Sequence, residues 1–337
     1  NSRIAEKLLF LSNNEGFAGT IDFADQLYLP VVFGATWPNP EILFVDEAQD
    51  LSTINHIMVK NCRAKQLVVV GDPMQAIYAF RGALSDSMEQ FSKQRDFTTL
   101  FLTQTFRCAQ SIVSRAQALV PDFTAAPANP EGEVIHLDEY TFPDIIDRTI
   151  PTAILCRNNA PLIRMTLRLL RARIPATILG KDIAKGLVKD IQKANPINLP
   201  LTPTIQNIKD YYDNRIELKP TLANILNDRL AAIRAAGEGA DDRDTLISLI
   251  DSLFSDDPSA IVTLATGHKA KGLEWDRVIH LDSFLIPHKG AKSPEELQQE
   301  YNLQYVIETR AKTTLMIAQS KLLVAESDDH DFDNSRP

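Results

Sequence analysis

The sequence ILFVDEAQD at Ile42–Asp50, followed after a spacer by QLVVVGDPMQAIYAFRG at Gln66–Gly82, decides the fold class that we expect. Each segment begins with a short apolar run and ends in acidic and polar residues. The apolar runs Ile42–Val45 and Leu67–Val70 are typical of strands that are buried on both faces of a parallel sheet. Because ligands of such sheets bind at the carboxyl ends of the strands, the residues that follow each run are candidates for a functional site.

Carboxylates follow the first predicted strand, and a Gly-Asp pair follows the second. Two carboxylates at one strand end, Asp46 and Glu47, suit a phosphate-bound Mg²⁺ and its attacking water. Asp46 would hold the metal, while Glu47 would orient or deprotonate the water. Gln75, just past Asp72 at the second strand end, could sense the terminal phosphate. An isolated Asp-Glu pair is more often a solvated strand end, so this interpretation depends on both segments occurring together.

The two segments together resemble motifs II and III of the UvrD/Rep-like superfamily 1 DNA helicases, with DEAQD and GDPMQAIYAFRG as the matching residues. The resemblance covers nearly all of residues 21–318, because later segments match the family's motifs IV, V and VI in order. It implies an α/β fold of tandem RecA-like P-loop NTPase domains with ATP and Mg²⁺ between them. It also implies movement from 3′ to 5′ on single-stranded DNA, action at junctions of single- and double-stranded DNA, and a replication or repair protein as partner.

The segment TLFLTQTFR at Thr99–Arg107 is predicted to be a strand that ends in polar residues and an arginine. It resembles the family's motif IV, "LxxNYRS", with Thr105, Phe106 and Cys108 in place of Asn, Tyr and Ser. The arginine of the motif is present as Arg107. The resemblance implies that Arg107 contacts the γ-phosphate of ATP and stabilises charge in the transition state.

The segment TGHKAKGLEW, within Ile261–Asp282, resembles the family's motif V, "TxHxxKGLEF". A strand leads into a polar loop, and a second strand follows. The resemblance implies that Thr266 and His268 contact the DNA strand, and that Gly272 and Glu274 belong to the ATP site. A lone histidine is more often a structural side chain, and that alternative stays open for His268.

The segment YNLQYVIETRAKTTLMIA at Tyr301–Ala318 resembles motif VI, "LxYVAxTRAxxxL". Helical spacing predicts that Tyr305, Thr309 and Lys312 lie near one another, and that Val306 and Arg310 share a turn. The resemblance implies that Arg310 is a second arginine on the γ-phosphate. The alternative is an ion pair on a helix surface.

Tyr78, Phe80 and Arg81 are the candidates for contact with single-stranded DNA in the first half of the chain. Stacking of bases on aromatic rings tolerates any base, as a translocase requires. In an extended segment, Tyr78 and Phe80 would point the same way. The alternative is that both aromatic side chains belong to the core.

The net charge of −9 and the isoelectric point of about 5.2, taken alone, argue against a nucleic-acid partner. The objection is limited, because a translocase can hold a single strand in a local groove with aromatic rings and backbone amides. Part of the acidity also lies in ESDDHDFDN at Glu326–Asn334, which we expect to be disordered.

The composition also indicates in which cellular compartment we expect the protein. The sequence contains three scattered cysteines without metal-ligand spacing, Cys62, Cys108 and Cys156, which we expect to be small buried hydrophobic residues. No apolar run has the length of a membrane span, and KLLFL at Lys7–Leu11 is too short for a signal peptide. We therefore expect a protein of the reducing cytoplasm, or of the nucleus in a eukaryote, that is not secreted and has no membrane partner.

No GxxxxGK[ST] phosphate-binding loop occurs in the sequence; LGKD at Leu179–Asp182 lacks the upstream glycine and the following Ser or Thr. We therefore expect a piece that starts partway through the first motor domain, and that is inactive without the missing segment. The domains expected are an incomplete first motor domain (1–98), a second motor domain (99–180 and 258–325), a reduced helical insertion (181–257) and an acidic tail (326–337).

Shorter elements complete the prediction. We expect a helix near the N-terminus, then IDFADQLYLP at Ile21–Pro30, with Pro30 and Pro38 bracketing a loop. Leu84–Arg95 is predicted to be a helix. Within the helical insertion, Tyr211 and Tyr212 could stack on bases, but core packing is favoured.

Two other functions are compatible with the sequence. The first is a DNA- or partner-binding subunit without turnover, derived from such a helicase. The residues Asp46, Glu47, Gln75, Arg107 and Arg310 argue against it, because an inactive motor has no chemical use for them. The second is the motor subunit of an ATP-dependent nuclease, which cleavage of linear duplex DNA would reveal.

Overall fold

The computed structural model describes residues 2–17, 19–93, 97–137, 145–255 and 260–319. The chain forms two compact units, the first ending at Phe101 and the second beginning at Leu102. The acidic segment Glu326–Asn334 lies outside the described residues. The assignment of segments to motor domains, insertion and tail stays a prediction.

The first unit contains helices, 3-10 turns and two strands. In chain order they are α1 (Ser2–Phe17), α2 (Phe23–Val32), β1 (Ile42–Val45), a 3-10 turn (Ala48–Asp50), α3 (Thr53–Asn61), β2 (Gln66–Val69), 3-10 turns at Pro73–Gln75 and Ala79–Arg81, and α4 (Ser87–Ser92).

The two strands predicted in the first unit are confirmed, and they pair in parallel with Ile42 opposite Gln66. Burial on both faces, however, is wrong for this unit. Phe44 is 70% exposed, and Ile42 of β1 and Val68 of β2 are also exposed, as is Val70 just beyond β2. The reason is that the sheet here has two strands, and one face has no covering layer among the described residues.

The N-terminal region departs from the prediction at Pro30, which lies inside α2 instead of starting a loop. The helix is fixed at its other end, where the Asp22 carboxylate accepts a hydrogen bond from Asp25 N at 2.8 Å. Asp25 in return accepts from Asp22 N at 3.1 Å and from Ser12 Oγ at 2.8 Å. Because Pro30 falls in the last turn, it removes one backbone bond of a helix that ends two residues later. The predicted helix Leu84–Arg95 is also shorter, since α4 spans Ser87–Ser92.

The second unit is built on a parallel sheet with helices around it. Its strands are β3 (Gln104–Thr105), β4 (Thr124–Ala125), β5 (Glu133–His136), β6 (Thr152–Cys156), β7 (Ala176–Leu179), β8 (Phe254–Ser255), β9 (Val262–Thr266), β10 (Trp275–Leu281) and β11 (Ala311–Ala318). Its helices are α5 (Gln110–Ala116), α6 (Asn159–Arg171), α7 (Lys181–Ala194), α8 (Leu201–Leu218), α9 (Ala223–Gly237), α10 (Arg243–Leu253), α11 (Gly267–Ala270) and α12 (Pro294–Glu308).

Seven strands of the second unit form one sheet in the order β5-β11-β10-β6-β9-β7-β8, and every pairing in it is parallel. Every residue of β6 and of β9 is buried, as expected for central strands that helices cover on both faces. This confirms the predicted α/β class with a RecA-like parallel sheet. The carboxyl ends of β6, β9 and β10 lie at one edge, because Cys156 pairs with both Thr266 and Leu281.

Four helices, α7 to α10, lie between β7 and β8. Their core includes Tyr212, which is 1% exposed and donates its hydroxyl to Asp190 at 2.9 Å. Arg229 Nη1 pairs with the same carboxylate at 2.6 Å. Core packing of Tyr212, favoured over base stacking, is thus confirmed. The described residues include no helix that combines the length and apolar composition needed to cross a bilayer.

Two further elements differ from the prediction. The strand expected at Thr99–Arg107 is reduced to β3, which pairs with β4 in a separate small sheet, while Leu100 and Leu102 are exposed. The helix expected to run through Lys312 ends at Glu308, so Lys312 lies in β11. Apolar composition alone misled the first prediction, because within the described residues the strand pairing of that run is limited to Gln104 and Thr105.

Cys108 and Cys156 are buried, as expected of small hydrophobic side chains, whereas Cys62 is partly exposed. Burial raises the pKa of the Cys156 thiol to about 12, which keeps it protonated at neutral pH. The cysteine prediction is therefore correct for two positions and wrong for Cys62.

Candidate functional site

The candidate site in the first unit begins at the end of β1. Glu47 has a φ of 50°, which places a residue other than glycine in the left-handed region. The Asp46 carboxylate accepts a hydrogen bond from the backbone N of Glu47 at 2.8 Å, and this closes the turn locally. Strained backbone of this kind is concentrated at functional sites, because only a well-supported structure tolerates it.

Gln49 connects the ends of the two strands. Its side chain is 2% exposed, donates through Nε2 to Glu47 Oε2 at 2.5 Å, and accepts through Oε1 from the backbone N of Asp72 at 3.0 Å. Gly71 is required beside it, since a Cβ there would lie 2.6 Å from Gln49 Oε1. Sequence reasoning assigned Gln49 no role, although its place inside DEAQD was the available signal.

Asp72 connects this hydrogen-bond network to Gln75. Its carboxylate accepts from the backbone N of Met74 at 2.9 Å and from Gln75 Nε2 at 2.8 Å. One chain of hydrogen bonds therefore joins Glu47, Gln49, Asp72 and Gln75 at the strand ends. The structure brings the predicted water-orienting and phosphate-sensing residues into one network, while their chemical roles stay predictions.

Tyr78, Phe80 and Arg81 form an aromatic and cationic cluster. The two rings meet edge to face with centroids 6.0 Å apart, and the Arg81 guanidinium lies 5.2 Å from the Tyr78 centroid and 5.6 Å from that of Phe80. The backbone here is a 3-10 turn, so the extended segment assumed in the prediction is wrong, although the rings come together. Phe80 is 68% exposed, which leaves its face accessible, and burial raises the pKa of Tyr78.

In the second unit, Arg107 and Glu274 form an ion pair, with Arg107 Nε 2.8 Å from Glu274 Oε2. Lys312 Nζ contacts the other carboxylate oxygen at 2.9 Å, so one carboxylate is shared by two cations. The hydrogen bond from Lys312 lowers the pKa of Glu274, with the charges of both cations acting in the same direction. Sequence reasoning assigned Lys312 no role in this site, although it stands close to the predicted Arg310.

Arg310 is 2% exposed, in the turn between α12 and β11. Its guanidinium donates to the backbone oxygens of Val306 at 3.1 Å and of Leu273 at 3.2 Å. Its Nη2 is buried and has no hydrogen-bond partner among the described residues. Burial lowers the pKa of Arg310, and the charge of nearby Arg107 adds to that effect. The structure therefore brings Arg107, Glu274 and Arg310 together within this unit, with Arg310 covered.

The loop after β9 holds the remaining candidates. Thr266 is buried at the strand end, and His268 is half-buried in α11. Between them, Gly267 packs so closely that a Cβ would lie 2.7 Å from side-chain atoms of Ile307 and Leu303. Gly272 has a φ of +84°, which favours glycine, with no atom within 4 Å of a built Cβ. The loop is thus anchored against α12 at its start and turns sharply before β10.

Asp46 is the single residue predicted to hold a metal. Within the described ranges, no group of three or more His, Cys, Asp and Glu side chains could hold a metal ion by itself. A lone carboxylate nevertheless fits Mg²⁺, which in nucleotide sites keeps several waters and is held by one or two carboxylates and the substrate phosphates.

Comparison with protein families and with individual proteins shows which proteins this chain resembles. Residues 30–96 match the UvrD/REP helicase N-terminal domain, and residues 200–321 match the UvrD-like helicase C-terminal domain. The chain is 27% identical to F-box DNA helicase protein 1 of Schizosaccharomyces pombe, over 82% of this chain and 33% of the relative. It is 27% identical to F-box DNA helicase 1 of Gallus gallus, over 83% of this chain and 29% of that protein.

A shorter match joins the chain to the ATP-dependent DNA helicase PcrA of Staphylococcus aureus, with 28% identity over 45% of this chain and 24% of PcrA. The chain spans about a third or less of the length of these relatives. The parallel α/β fold, the motif residues and these matches are those of the superfamily 1 DNA helicase class. The chain belongs to the UvrD/Rep-like family of these helicases.

Proposed function

We propose that this chain carries most of the motor of an ATP-dependent DNA helicase that moves 3′ to 5′ on single-stranded DNA and unwinds duplexes at junctions. UvrD-like helicases in general use ATP and Mg²⁺, and the relatives are DNA helicases. The observation that carries the proposal is the network from Glu47 through Gln49 and Asp72 to Gln75. It couples a residue suited to orient water with one suited to sense phosphate.

The proposed chemistry assigns one task to each group. Glu47 orients and deprotonates the water that attacks the γ-phosphate. Gln75 senses whether that phosphate is bound, and the hydrogen-bond network connects Gln75 to the ends of β1 and β2. Asp46 would hold Mg²⁺ together with the phosphates, and the bound ion would supply positive charge to offset the charge that develops on the phosphate oxygens. Arg107 and Arg310 are proposed to stabilise the same charge, and Gly272 and Glu274 are proposed to belong to the nucleotide site.

The proposed DNA site uses two sets of residues. Tyr78 and Phe80 stack on bases, and Arg81, which lies against both rings, attracts the phosphate backbone. Thr266 and His268 contact the strand from the loop after β9. Because these side chains tolerate any base, the proposal predicts binding of single strands without sequence preference.

A phosphate-binding segment from outside these 337 residues completes the ATP site in this proposal. Two observations support it. The sequence contains no GxxxxGK[ST] loop, and the β1–β2 face with Ile42, Phe44, Val68 and Val70 is exposed although strands of parallel sheets are normally covered. A replication or repair protein is the proposed protein partner.

The experiment is the measurement of ATP hydrolysis, with and without single-stranded DNA, by this chain and by a longer protein that supplies the phosphate-binding segment. We expect no turnover by the chain alone, and DNA-stimulated turnover by the longer protein. Turnover by the chain alone would disprove the proposed need for another segment. DNA binding without turnover in the longer protein would favour the alternative of a subunit without catalysis, and cleavage of linear duplex would favour the nuclease alternative.

A further inference from the structure

A buried ion network joins three elements of the second unit. The Glu308 side chain, at the end of α12, is 2% exposed, and Arg115 of α5 contacts it with two hydrogen bonds, Nε to Oε2 at 2.8 Å and Nη2 to Oε1 at 3.0 Å. His280 of β10, which is fully buried, places Nδ1 3.3 Å from Oε1. Gln304 Nε2 donates to the same oxygen at 3.1 Å.

The network lies beside the two arginines that the proposed mechanism uses. Glu308 is the last residue of α12, and Thr309 and Arg310 follow it directly. Arg115 belongs to α5, the helix that begins just after Arg107. The bidentate contact between Arg115 and Glu308 therefore fixes α5, which follows Arg107, against α12, which precedes Arg310.

Backbone contacts continue the same connection closer to the arginines. The Cys108 thiol donates to the backbone oxygen of Thr309 at 3.4 Å, and Ala109 N donates to the backbone oxygen of Lys312 at 2.8 Å. These bonds hold the backbone next to Arg107 and Arg310, and the buried side chains Ile112, Val113 and Ala116 pack α5 against its neighbours. The side-chain network adds a direct restraint between α5 and α12, because a bidentate contact restrains rotation as well as distance.

Stability alone is a weak explanation for this network. Taking charges out of water is costly, and an apolar group of similar volume often stabilises a protein as well as a buried ion pair does. The pair does, however, provide a fixed geometry, because a buried carboxylate must keep its cationic partner. A fixed geometry matters most where two side chains must contact the same phosphate group.

We propose that Glu308, through Arg115 and His280, is a positioning residue that sets the relative placement of Arg107 and Arg310 for phosphoryl transfer. This inference rests on the proposed function, since it assumes that both arginines act on the γ-phosphate. Glu308 itself contacts neither nucleotide nor DNA in this account.

The test compares Glu308→Gln, Arg115→Met and the double variant, with unfolding measured on this chain and turnover on the longer protein that hydrolyses ATP. Each single variant leaves a buried or half-buried charge uncompensated, so we expect a lower Tm. The double variant removes both charges and should regain most of the Tm. Its kcat should nevertheless stay at least about ten-fold reduced, since about 1.4 kcal/mol of transition-state stabilisation corresponds to that factor. The KM for ATP and the affinity for single-stranded DNA should change less than about three-fold.

The matched control is the exposed pair of Arg164 and Glu238, 3.1 Å apart, changed in the same way to Arg164→Met and Glu238→Gln. Neither Tm nor kcat should change there. Full recovery of kcat together with Tm in the Glu308/Arg115 double variant would overturn the inference, because the network would then be only structural. If the double variant stays less stable than the unchanged protein, its kcat is compared with that of a core variant of equal Tm, such as Ile250→Val. The comparison is made at a temperature where both variants are folded. Equal kcat values in these two variants would also overturn the inference.

Failure of the inference and failure of the proposed function give different results. Absence of DNA-stimulated ATP turnover in the unchanged longer protein would reject the proposed function itself, whatever Glu308 does. Normal turnover in Arg107→Ala would reject the action of Arg107 on the γ-phosphate, and with it the positioning role of Glu308. Loss of turnover in Arg107→Ala, together with normal turnover in the Glu308/Arg115 double variant, would reject only the positioning role.

Discussion

Glu47 combines the features that a water-activating residue needs. Its backbone φ of 50° is supported by the hydrogen bond from its own N to Asp46, and its carboxylate is held by Gln49. A buried amide on one carboxylate oxygen leaves the group oriented in the absence of substrate. Preorganisation of this kind reduces the reorganisation needed during the reaction.

Glu47→Gln should abolish turnover and preserve ATP binding in the protein with a complete nucleotide site. The amide keeps the size of the side chain but cannot accept the proton of the attacking water, so we expect kcat to fall at least about 100-fold. Steady-state ATP hydrolysis and equilibrium binding of a non-hydrolysable ATP analogue measure the two effects. Normal turnover in this variant would contradict the role of Glu47.

Phe80→Ala should weaken binding of single-stranded DNA. The ring is 68% exposed, and loss of one stacking platform corresponds to about 1–3 kcal/mol, or about a five- to 150-fold weaker affinity. Fluorescence anisotropy with a labelled oligonucleotide measures it. The control is Phe23→Ala, since Phe23 is 87% exposed in α2 and has no proposed DNA contact. Equal affinities of the Phe80 and Phe23 variants would remove the stacking role.

At the scale of elements, the ends of β1 and β2 are joined by close packing around Gly71. A Cβ at this position would lie 2.6 Å from Gln49 Oε1, 2.8 Å from Met88 Sδ and 3.1 Å from the backbone N of Ala48. The last of these atoms belongs to the backbone and cannot move aside as a flexible side chain can. The approach of the two strand ends therefore depends on glycine.

Gly71→Ala should destabilise the first unit by about 1–3 kcal/mol, because the added methyl group overpacks the junction and displaces Gln49. Urea unfolding followed by circular dichroism measures the change. Gly186→Ala is the control, since a Cβ there meets only the end of the Arg229 side chain at 3.5 Å within helix α7. That control should be neutral or slightly stabilising; equal losses in both variants would contradict the packing argument.

The connection between α5 and α12 should be sensitive to acid. Burial alone would raise the pKa of Glu308, but hydrogen bonds and charges from His280 and Arg115 outweigh it and lower the pKa to about 2, from an ordinary 4.5. Because the folded pKa is depressed, the stabilisation is complete above pH 4.5 and is lost as the pH falls towards 2. The groups that face the carboxylate are Arg115 from α5, His280 from β10 and Gln304 from its own helix.

A shift of that size corresponds to about 3 kcal/mol. We therefore expect the free energy of unfolding to fall more steeply between pH 5 and 2 in the unchanged chain than in Glu308→Gln, which lacks the titrating group. Urea titrations at a series of pH values measure both curves. Parallel curves would show that Glu308 does not titrate with a depressed pKa.

At the scale of the whole molecule, the exposed apolar surface of the first unit bears on self-association of the chain. Ile42 and Phe44 of β1 lie beside Val68 of β2, with Val70 just beyond that strand, and an exposed apolar face of this kind promotes association. The net charge of −9 opposes association, but it acts over the entire molecule and not at this face.

The isolated chain should therefore associate at micromolar concentration, and Phe44→Glu should reduce that association by placing a charge on the face. Sedimentation velocity over a range of concentrations measures it. Phe101→Glu is the matched control, since Phe101 is 83% exposed but lies outside the sheet. A monomeric unchanged chain, or an equal effect of the two substitutions, would show that the strand face does not drive association.

The sequence by itself determined the strands β1 and β2, the α/β class, and the family. These features depend on local information: an apolar run that ends in carboxylates, and short motifs whose order along the chain is read directly. Local apolar composition was insufficient at Thr99–Arg107, because a strand needs a neighbour and, in the part of the chain that the structure describes, most of that run has none. It was also insufficient at Lys312, since α12 ends at Glu308 and the chain turns into β11.

Only the tertiary structure decided which side chains are buried and which distant residues meet. Arg310 is covered at 2% exposure, while Phe44 is exposed at 70%, and neither value follows from the residue type. Gln49 reaches the second strand end, and Arg115 meets Glu308 across 193 positions of sequence. The physical reason is that burial and ion pairing depend on three-dimensional neighbours, which propensity and periodicity do not specify.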